Sequence, residues 1–224
     1  MKKKIKIKAL ILDFDGTMAT PSTLDFDGIN QTLSLNLRQK GLLWPEQGYL
    51  LERIRILYET LPRAWGEEKS NALLREIKAY IMSREMEAAR ESRLFSFTPK
   101  VLAQAQAMGL SLAIASRNCG PAILSVFPEA RNYVLLSREK VTQIKPHPGH
   151  FREAARLMGV DIDACAAAGD HVMDMEAAAA AGCLGVGVLS GLSSAGELRE
   201  GGADIIVAGL AQLLPILAEK GYLA

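Results

Sequence analysis

The sequence predicts a doubly wound parallel α/β fold that carries an all-helical insertion, and three observations support this prediction. A strand-like run at residues 5–12 ends in two acids, and a block with only helical periodicity follows at residues 29–93. From residue 99 onward, apolar strand-like runs alternate with helical segments. Repeated strand–helix units imply a parallel sheet with helices on both faces, and the first strand must join this sheet because it cannot cover its own faces alone.

Length, charge and cysteine content limit the classes of function. The 224 residues can bury one good core, or one core and a small second module. The net charge is +1 and no basic stripe follows the first eight residues, so we expect no nucleic-acid partner. No run approaches the roughly 20 apolar residues of a membrane span, and no signal-peptide pattern follows the opening lysines. We therefore expect no membrane association.

The cysteines indicate the compartment. Cys119, Cys165 and Cys183 are odd in number and widely spaced, which favours buried, reduced thiols over disulfides or a zinc site. This pattern is typical of a cytoplasmic protein. No feature of the sequence predicts the oligomeric state.

The first predicted strand brings two carboxylates to one edge of the sheet. Its apolar run ends at Asp13, and Asp15 follows one residue later, before Gly16 allows a sharp turn. Extended backbone points alternate side chains the same way, and ligands bind beyond the carboxyl ends of parallel strands. Because two carboxylates this close repel each other, a site that keeps both holds a cation or a proton between them.

The pentapeptide Leu-Asp-Phe-Asp-Gly occurs twice, at residues 12–16 and 24–28. No apolar strand precedes the second copy, which follows Thr-Pro-Ser-Thr and precedes helical spacing at residues 29–40. We therefore predict that Asp25 or Asp27 caps a helix and that the second copy has no catalytic role.

The block after the second copy is predicted to be entirely helical. We predict helices over residues 29–40, 45–61 and 67–93. Apolar residues on one stripe support the second of these, namely Leu50, Ile54, Leu57 and Leu61. The predicted domains are an α/β core at residues 1–19 and 97–224 and a helical module at residues 20–96.

The rest of the chain alternates between helices and strands. We predict helices at residues 99–108, from residue 121, and at 149–158, 173–181, 195–199 and 210–220. We predict strands at residues 110–115, 133–136, 165–168, 184–189 and 204–207.

Polar groups follow these strands or begin these helices. Ser116 follows a strand, and its hydroxyl and nearby N–H groups suit a phosphate oxygen. Lys145 precedes Pro-His-Pro at a helix start and supplies a compact positive charge. Asp170 ends another strand, and Asp174 follows four residues later on the same helical face. Hard oxygen ligands of this kind suit Mg²⁺.

Taken in order, these residues resemble all four motifs of the haloacid dehalogenase superfamily of phosphohydrolases. The motifs are Asp-x-Asp-Gly-Thr at residues 13–17, Ser116 after a strand, Lys145 before proline, and Gly-Asp-x-x-x-Asp at residues 169–174. The resemblance covers nearly the whole α/β part. It implies a Rossmann-like core and identifies the insertion as a helical cap between the first and second motifs.

The resemblance also implies a role for each residue. Asp13 is expected to be the nucleophile that forms an aspartyl-phosphate, and Asp15 the general acid that protonates the leaving oxygen and then activates water. Ser116 and Lys145 are expected to bind the phosphoryl group.

The expected cofactor is Mg²⁺. By resemblance, Asp170 binds it and Asp174 lies at the metal or just behind it. Asp13 contributes a carboxylate oxygen, and Asp15 contributes its backbone carbonyl.

Two positions depart from the family pattern. His171 stands where the family often has serine, and it is a candidate for a surface or capping histidine or for contact with substrate. Arg117-Asn118 follows Ser116 in place of the usual small or polar pairs, and Arg117 is a further candidate for phosphate binding.

The expected function is a Mg²⁺-dependent phosphatase for a small phosphorylated metabolite, resembling the phosphoglycolate phosphatase branch. One alternative is a phosphosugar mutase of the β-phosphoglucomutase type, which shares the core and cap and needs a sugar bisphosphate. Another is a non-catalytic module that binds a phosphate ligand or a protein. The sequence does not name the substrate.

Overall fold

A computed structural model describes residues 5–223 and contains a six-stranded parallel sheet. Its strands are β1 (Ala9–Leu12), β2 (Ser111–Ala115), β3 (Val134–Leu136), β4 (Cys165–Gly169), β5 (Leu184–Val188) and β6 (Ile205–Val207). Their order is β3-β2-β1-β4-β5-β6, and every neighbouring pair is parallel. The doubly wound α/β fold predicted from the sequence is therefore confirmed.

Four helices follow β1, and from β2 onward strands and helices alternate. The helices are α1 (Phe26–Gln39), α2 (Leu50–Trp65), α3 (Glu67–Ala89), α4 (Thr98–Ala107), α5 (Gly120–Val126), α6 (Gly149–Met158), α7 (Val172–Ala181), α8 (Ala195–Glu200) and α9 (Leu213–Glu219). Short 3₁₀ turns lie at Pro128–Asn132, Ile162–Ala164 and Leu210–Gln212. In the part of the chain that the structure describes, no helix is both long and apolar enough to cross a membrane.

The central strand packs a different apolar cluster on each face. Leu10 and Leu12 of β1 belong to one buried cluster, whereas Ala9 and Ile11 belong to the other. This alternation is the period-two pattern of a strand covered on both sides.

The chain divides into two compact units. Among the described residues, one unit contains residues 5–22 and 89–223, including the sheet, and the other contains residues 23–88. The second unit lies within the predicted insertion of residues 20–96. It has its own apolar core, built from residues of α1, α2 and α3 together with Trp44.

Several predicted bounds are wrong for identifiable reasons. The first strand begins at Ala9 rather than at residue 5, and the N–H of Ile7 bonds to the carbonyl of Tyr222, which belongs to no strand. α2 begins at Leu50 because Gly48 has φ +87°, which no α-helix accommodates.

Three helices also differ from their predicted bounds. α2 continues through Pro62 to Trp65, past the predicted end before the proline. α3 stops at Ala89, before the predicted end at residue 93, and the carbonyl of Arg93 accepts from the N–H of Thr20 instead. The last predicted helix is a 3₁₀ turn followed by α9.

Candidate active site

The carboxyl end of β1 places Asp13 and Asp15 between two neighbouring strands. Leu12 is in register with Ile114 of β2 and with Ala168 of β4. Asp13 continues this pairing, since its N–H donates to the carbonyl of Ala168 at 2.9 Å. The residues that follow β2 and β4 therefore lie beside the first acid, as the resemblance implied.

Gly16 is needed directly after the two acids for two reasons. Its φ is +78°, a conformation that L side chains rarely adopt. A Cβ at this position would also lie 2.4 Å from Oδ2 of Asp170. The turn after β1 can therefore approach the Asp170 carboxylate only where there is no side chain.

Lys145 pairs with two of the buried acids. Its Nζ lies 2.6 Å from Oδ1 of Asp13 and 2.5 Å from Oδ1 of Asp174, and all three side chains are buried. Burial lowers the pKa of Lys145, but the charges and hydrogen bonds of Asp13 and Asp174 outweigh it and hold that pKa above its ordinary value. The ammonium therefore stays charged inside the site.

Asp170 and Asp174 lie at the start of α7 and carry raised pKa values. Burial, followed by the charge of Asp13, raises the pKa of Asp170 to about 8. Burial also raises the pKa of Asp174 to about 6, although the Lys145 charge opposes this change. For both carboxyl groups burial is the largest cause of the raised pKa, and the charge of Asp13 adds to it.

The residues present fit a divalent cation. Asp13, Asp170 and Asp174 are all buried, and each offers one carboxylate oxygen within 4.8 Å of the others. Three oxygen donors without sulfur or imidazole suit Mg²⁺ rather than zinc. The side chain of Asp15 is not part of this group. Its expected contribution to the metal is the backbone carbonyl.

Ser116 is buried on the loop after β2. Its N–H donates to the carbonyl of Leu136 at 3.0 Å, and its Oγ accepts from the N–H of Asn118 at 3.1 Å. Because this hydroxyl accepts from a backbone donor, its own hydrogen can be donated to another oxygen. Arg117 donates from Nη1 to the carbonyl of Lys145, so it supports the lysine loop.

His150 is a site residue that the sequence did not reveal. It is buried at the second position of α6, where its Nδ1 accepts from the N–H of Lys145 at 3.3 Å. Burial, with the Lys145 charge, lowers its pKa to about 4, so the ring is neutral and its Nε2 donates to the carbonyl of Leu136 at 3.0 Å. That carbonyl also accepts from Ser116, so His150 links the lysine and serine loops.

The loop after β5 also reaches the acids. The N–H of Leu192 donates to Oδ2 of Asp170 at 3.0 Å, and Oγ of Ser190 donates to the carbonyl of Gly16 at 2.7 Å. Thr17 donates from Oγ1 to Oδ1 of Asp170 at 3.4 Å. No local sequence pattern predicts these contacts, because they join residues that lie far apart along the chain.

His171 caps a helix. Its Nδ1 accepts from the N–H of Met173 at 3.2 Å, while its own N–H donates to Oδ2 of Asp174 at 3.2 Å. This reciprocal pair fixes the Asp174 carboxylate at the first turn of α7.

The second pentapeptide copy forms a helix start. Asp25 is the N-cap of α1, and its Oδ1 accepts from the N–H of Gly28 at 2.9 Å. Asp27 is exposed in the first turn of the same helix. The predicted cap is therefore confirmed, and Asp25 provides it.

The chain is similar to known hydrolases in sequence. A family model described as a haloacid dehalogenase-like hydrolase matches residues 7–182. The chain is 27% identical over 170 residues to phosphoglycolate phosphatase from Escherichia coli (strain K12), which covers 74% of this chain and 60% of that protein. It is 25% identical over 231 residues to phosphoglycolate phosphatase from Yersinia pseudotuberculosis, covering 97% and 96% of the two chains.

The chain matches about 60% of the length of the Escherichia coli relative. Among solved structures, a hydrolase from Pseudomonas syringae has a TM-score of 0.66 at 22% identity, covering 94% of this chain and 98% of that one. At this identity the likeness concerns the fold alone.

Proposed function

Because this chain belongs to the haloacid dehalogenase-like hydrolases, we propose that it hydrolyses the phosphate monoester of a small metabolite through an aspartyl-phosphate on Asp13, with Mg²⁺. One observation carries the proposal. The Asp13 carboxylate, at the carboxyl end of the central strand, lies 2.6 Å from a buried ammonium and within a cluster of buried acids. This arrangement supports a nucleophile beside groups that neutralise phosphoryl charge.

In the first step, a carboxylate oxygen of Asp13 attacks phosphorus and the bond from phosphorus to the ester oxygen breaks. Asp15 donates its proton to that leaving oxygen, which departs as an alcohol. Lys145 offsets negative charge on the phosphoryl group, and Ser116 donates its hydroxyl hydrogen to a phosphoryl oxygen. Arg117 adds a positive charge at the same loop.

In the second step, the ionised Asp15 takes a proton from water, which attacks the phosphorus of the aspartyl-phosphate. The bond between phosphorus and the Asp13 oxygen breaks, and inorganic phosphate leaves. Asp13 returns as a carboxylate and Asp15 returns protonated, so the cycle closes with atoms and charges balanced.

Asp13, Asp170 and Asp174 would hold Mg²⁺ together with the backbone carbonyl of Asp15. When bound, the ion supplies positive charge that offsets the phosphoryl oxygens and the excess charge of the acid cluster. A bound cation would offset the cost of keeping Asp170 and Asp174 ionised in this buried place, a cost that raises the pKa of both carboxyl groups in its absence.

The relatives named phosphoglycolate phosphatase support the proposed substrate class. We propose a small phosphorylated metabolite as the partner, a cytoplasmic location, and no role for nucleic acid or membrane. The helical insertion at residues 20–96 is proposed to act as the cap, which excludes water and selects the leaving group.

The test is a screen of phosphorylated metabolites with and without Mg²⁺, repeated with Asp13→Asn. We expect phosphate release from a small monoester that requires Mg²⁺ and is lost in the variant. Release that survives Asp13→Asn would refute the mechanism. Turnover that needs an added sugar bisphosphate would identify a mutase, and a chain that binds phosphate esters without turnover would be a binding module.

A further inference from the structure

Asn118 contacts the carboxyl group of Asp15 from the loop after β2. Its Nδ2 donates to Oδ2 of Asp15 at 3.1 Å, across 103 positions of the chain. Its own Oδ1 accepts from the N–H of Cys119 at 2.8 Å. The side-chain amide of Asn118 therefore joins the predicted acid–base residue to the loop that carries Ser116.

The contact with Cys119 fixes which end of the amide faces Asp15. A backbone N–H can only donate, so the atom of Asn118 that faces it must be the amide oxygen. The opposite end is then the NH₂ group, which has donors and no acceptor. Asp15 must therefore use Oδ2 as an acceptor in this contact.

The backbone of Asn118 is held as firmly as its side chain. Its N–H donates to Oγ of Ser116 at 3.1 Å, and its carbonyl accepts from the N–H of Arg138 at 3.3 Å. Because main chain and amide are both anchored, the donor that faces Asp15 has little freedom to move.

We propose that Asn118 is a positioning residue that orients Asp15 for proton transfer to the leaving oxygen. Its NH₂ group bonds to Oδ2, which favours a proton on Oδ1 and restrains the rotation of the carboxyl group. This inference rests on the proposed function, in which Asp15 protonates the ester oxygen. Proton transfer depends on such orientation, because a general acid must lie within hydrogen-bond reach of the oxygen it protonates.

Two substitutions separate this role from support of the loop. Asn118→Asp keeps an oxygen for the Cys119 N–H but loses the donor to Asp15, whereas Asn118→Ala loses both contacts. Asn132→Ala, at an exposed asparagine, is the matched control. Circular dichroism and thermal unfolding establish that each variant is folded.

The readout is kcat/KM for two aryl phosphates of similar size, p-nitrophenyl phosphate and phenyl phosphate. The value of kcat/KM reports the step in which the leaving group departs. Nitrophenolate is a stable anion that leaves without a proton, whereas phenolate needs the acid. With phenyl phosphate, we expect kcat/KM of both Asn118 variants to fall by about 10- to 100-fold, since general acid catalysis contributes about 10²- to 10⁴-fold. With p-nitrophenyl phosphate, we expect kcat/KM to fall by less than about 3-fold.

A second arm places Asn118→Ala in an Asp15→Asn background. Because Asn118 is proposed to act through Asp15, its substitution there should cost less than about 2-fold, whereas independent effects would multiply. Losses that are equal for the two esters, or that multiply with Asp15→Asn, would overturn the inference. So would an Asn118→Asp variant that behaves like Asn132→Ala.

Failure of the proposed function gives a different result. In that case the wild-type protein releases no phosphate from either ester with Mg²⁺, or releases it equally after Asp13→Asn. Asp15 then transfers no proton to a leaving oxygen, so the inference about Asn118 is overturned together with the proposed function.

Discussion

The two copies of Leu-Asp-Phe-Asp-Gly have the same residues but differ in secondary structure and in burial. In the first copy, Asp13 joins a buried acid cluster and Phe14 is 1% exposed. In the second, Asp25 caps a helix and Phe26 is 51% exposed. The difference arises from what precedes each copy, an apolar strand paired on both sides in one case and a short polar segment in the other.

The comparison shows that the pentapeptide alone carries no function. An acid becomes part of a cluster when a strand delivers it to the edge of a parallel sheet where other polar residues converge. The same acid at the start of a helix satisfies a free N–H group and stays in water. Matched substitutions in the two copies can test this distinction.

The largest expected difference is between Asp13→Asn and Asp25→Asn. An amide in place of the Asp13 carboxylate would be too weak a nucleophile, so we expect kcat to fall by a factor of about 10⁴, in line with losses measured for other catalytic nucleophiles. Asp25→Asn keeps an oxygen that can cap α1, so activity and stability should hardly change. Phosphate release with Mg²⁺ measures both. Equal losses of activity in the two variants would contradict the different roles of the two copies.

The next difference concerns the two phenylalanines. Phe14 is packed in the core cluster of the sheet, so Phe14→Ala should lower the free energy of unfolding by about 3–5 kcal/mol through lost burial and a cavity. Phe26 is half exposed, so Phe26→Ala should cost less than about 1 kcal/mol. Urea unfolding followed by circular dichroism compares them. Similar losses of unfolding free energy in the two variants would show that Phe14 and Phe26 do not differ in burial.

The acid cluster should also make stability depend on pH and Mg²⁺. The pKa of Asp170 is about 8 and that of Asp174 is about 6, whereas the ordinary value is 3.8. At a pH between the ordinary value and the raised one, the folded state therefore holds a proton that the unfolded chain has released. Without Mg²⁺, stability should therefore fall as the pH rises from about 4 to about 8.

Mg²⁺ should reverse this loss, because it binds the ionised carboxylates. We expect the ion to raise Tm more at pH 8 than at pH 5, and Asp170→Asn to weaken that effect. Asp25→Asn, in the second copy, should leave it intact. A Tm that is independent of Mg²⁺ at pH 8 would contradict the assignment of the cluster as a metal site.

The smallest difference is expected between the two glycines. Gly16→Ala adds a Cβ at positive φ and 2.4 Å from the Asp170 carboxylate, so it should cost about 1–3 kcal/mol of stability and disturb catalysis. In Gly28→Ala the Cβ meets only the Asp25 carboxylate, at 2.2 Å, which can rotate away. The lost cap and the gained helix propensity are each about 1 kcal/mol, so the net change should be near zero.

Much of the site could be predicted because its residues follow regular elements. Asp13, Ser116 and Asp170 come directly after strands β1, β2 and β4, whose apolar runs are visible in the sequence. The parallel order of the sheet then brings them to one edge.

Asn118 and His150 could not be predicted in the same way. Asn118 meets a residue 103 positions away, and His150 accepts from a backbone N–H in a loop. Such contacts depend on how loops pack in three dimensions, which leaves no periodic signal in the sequence. The start of the first strand differs from the prediction for a similar reason, because Ile7 bonds to the carbonyl of Tyr222 near the other end of the chain, a contact that no local pattern shows.

The most direct measurement is to locate the phosphoryl group on the chain during turnover. The protein is mixed with Mg²⁺ and a phosphate monoester that it hydrolyses, quenched in acid, digested and examined by mass spectrometry. We predict a phosphoryl group on Asp13, absent from Asp13→Asn and unaffected by Asp25→Asn. Steady turnover with no phosphoryl group on Asp13, or with one on Asp25, would contradict the account.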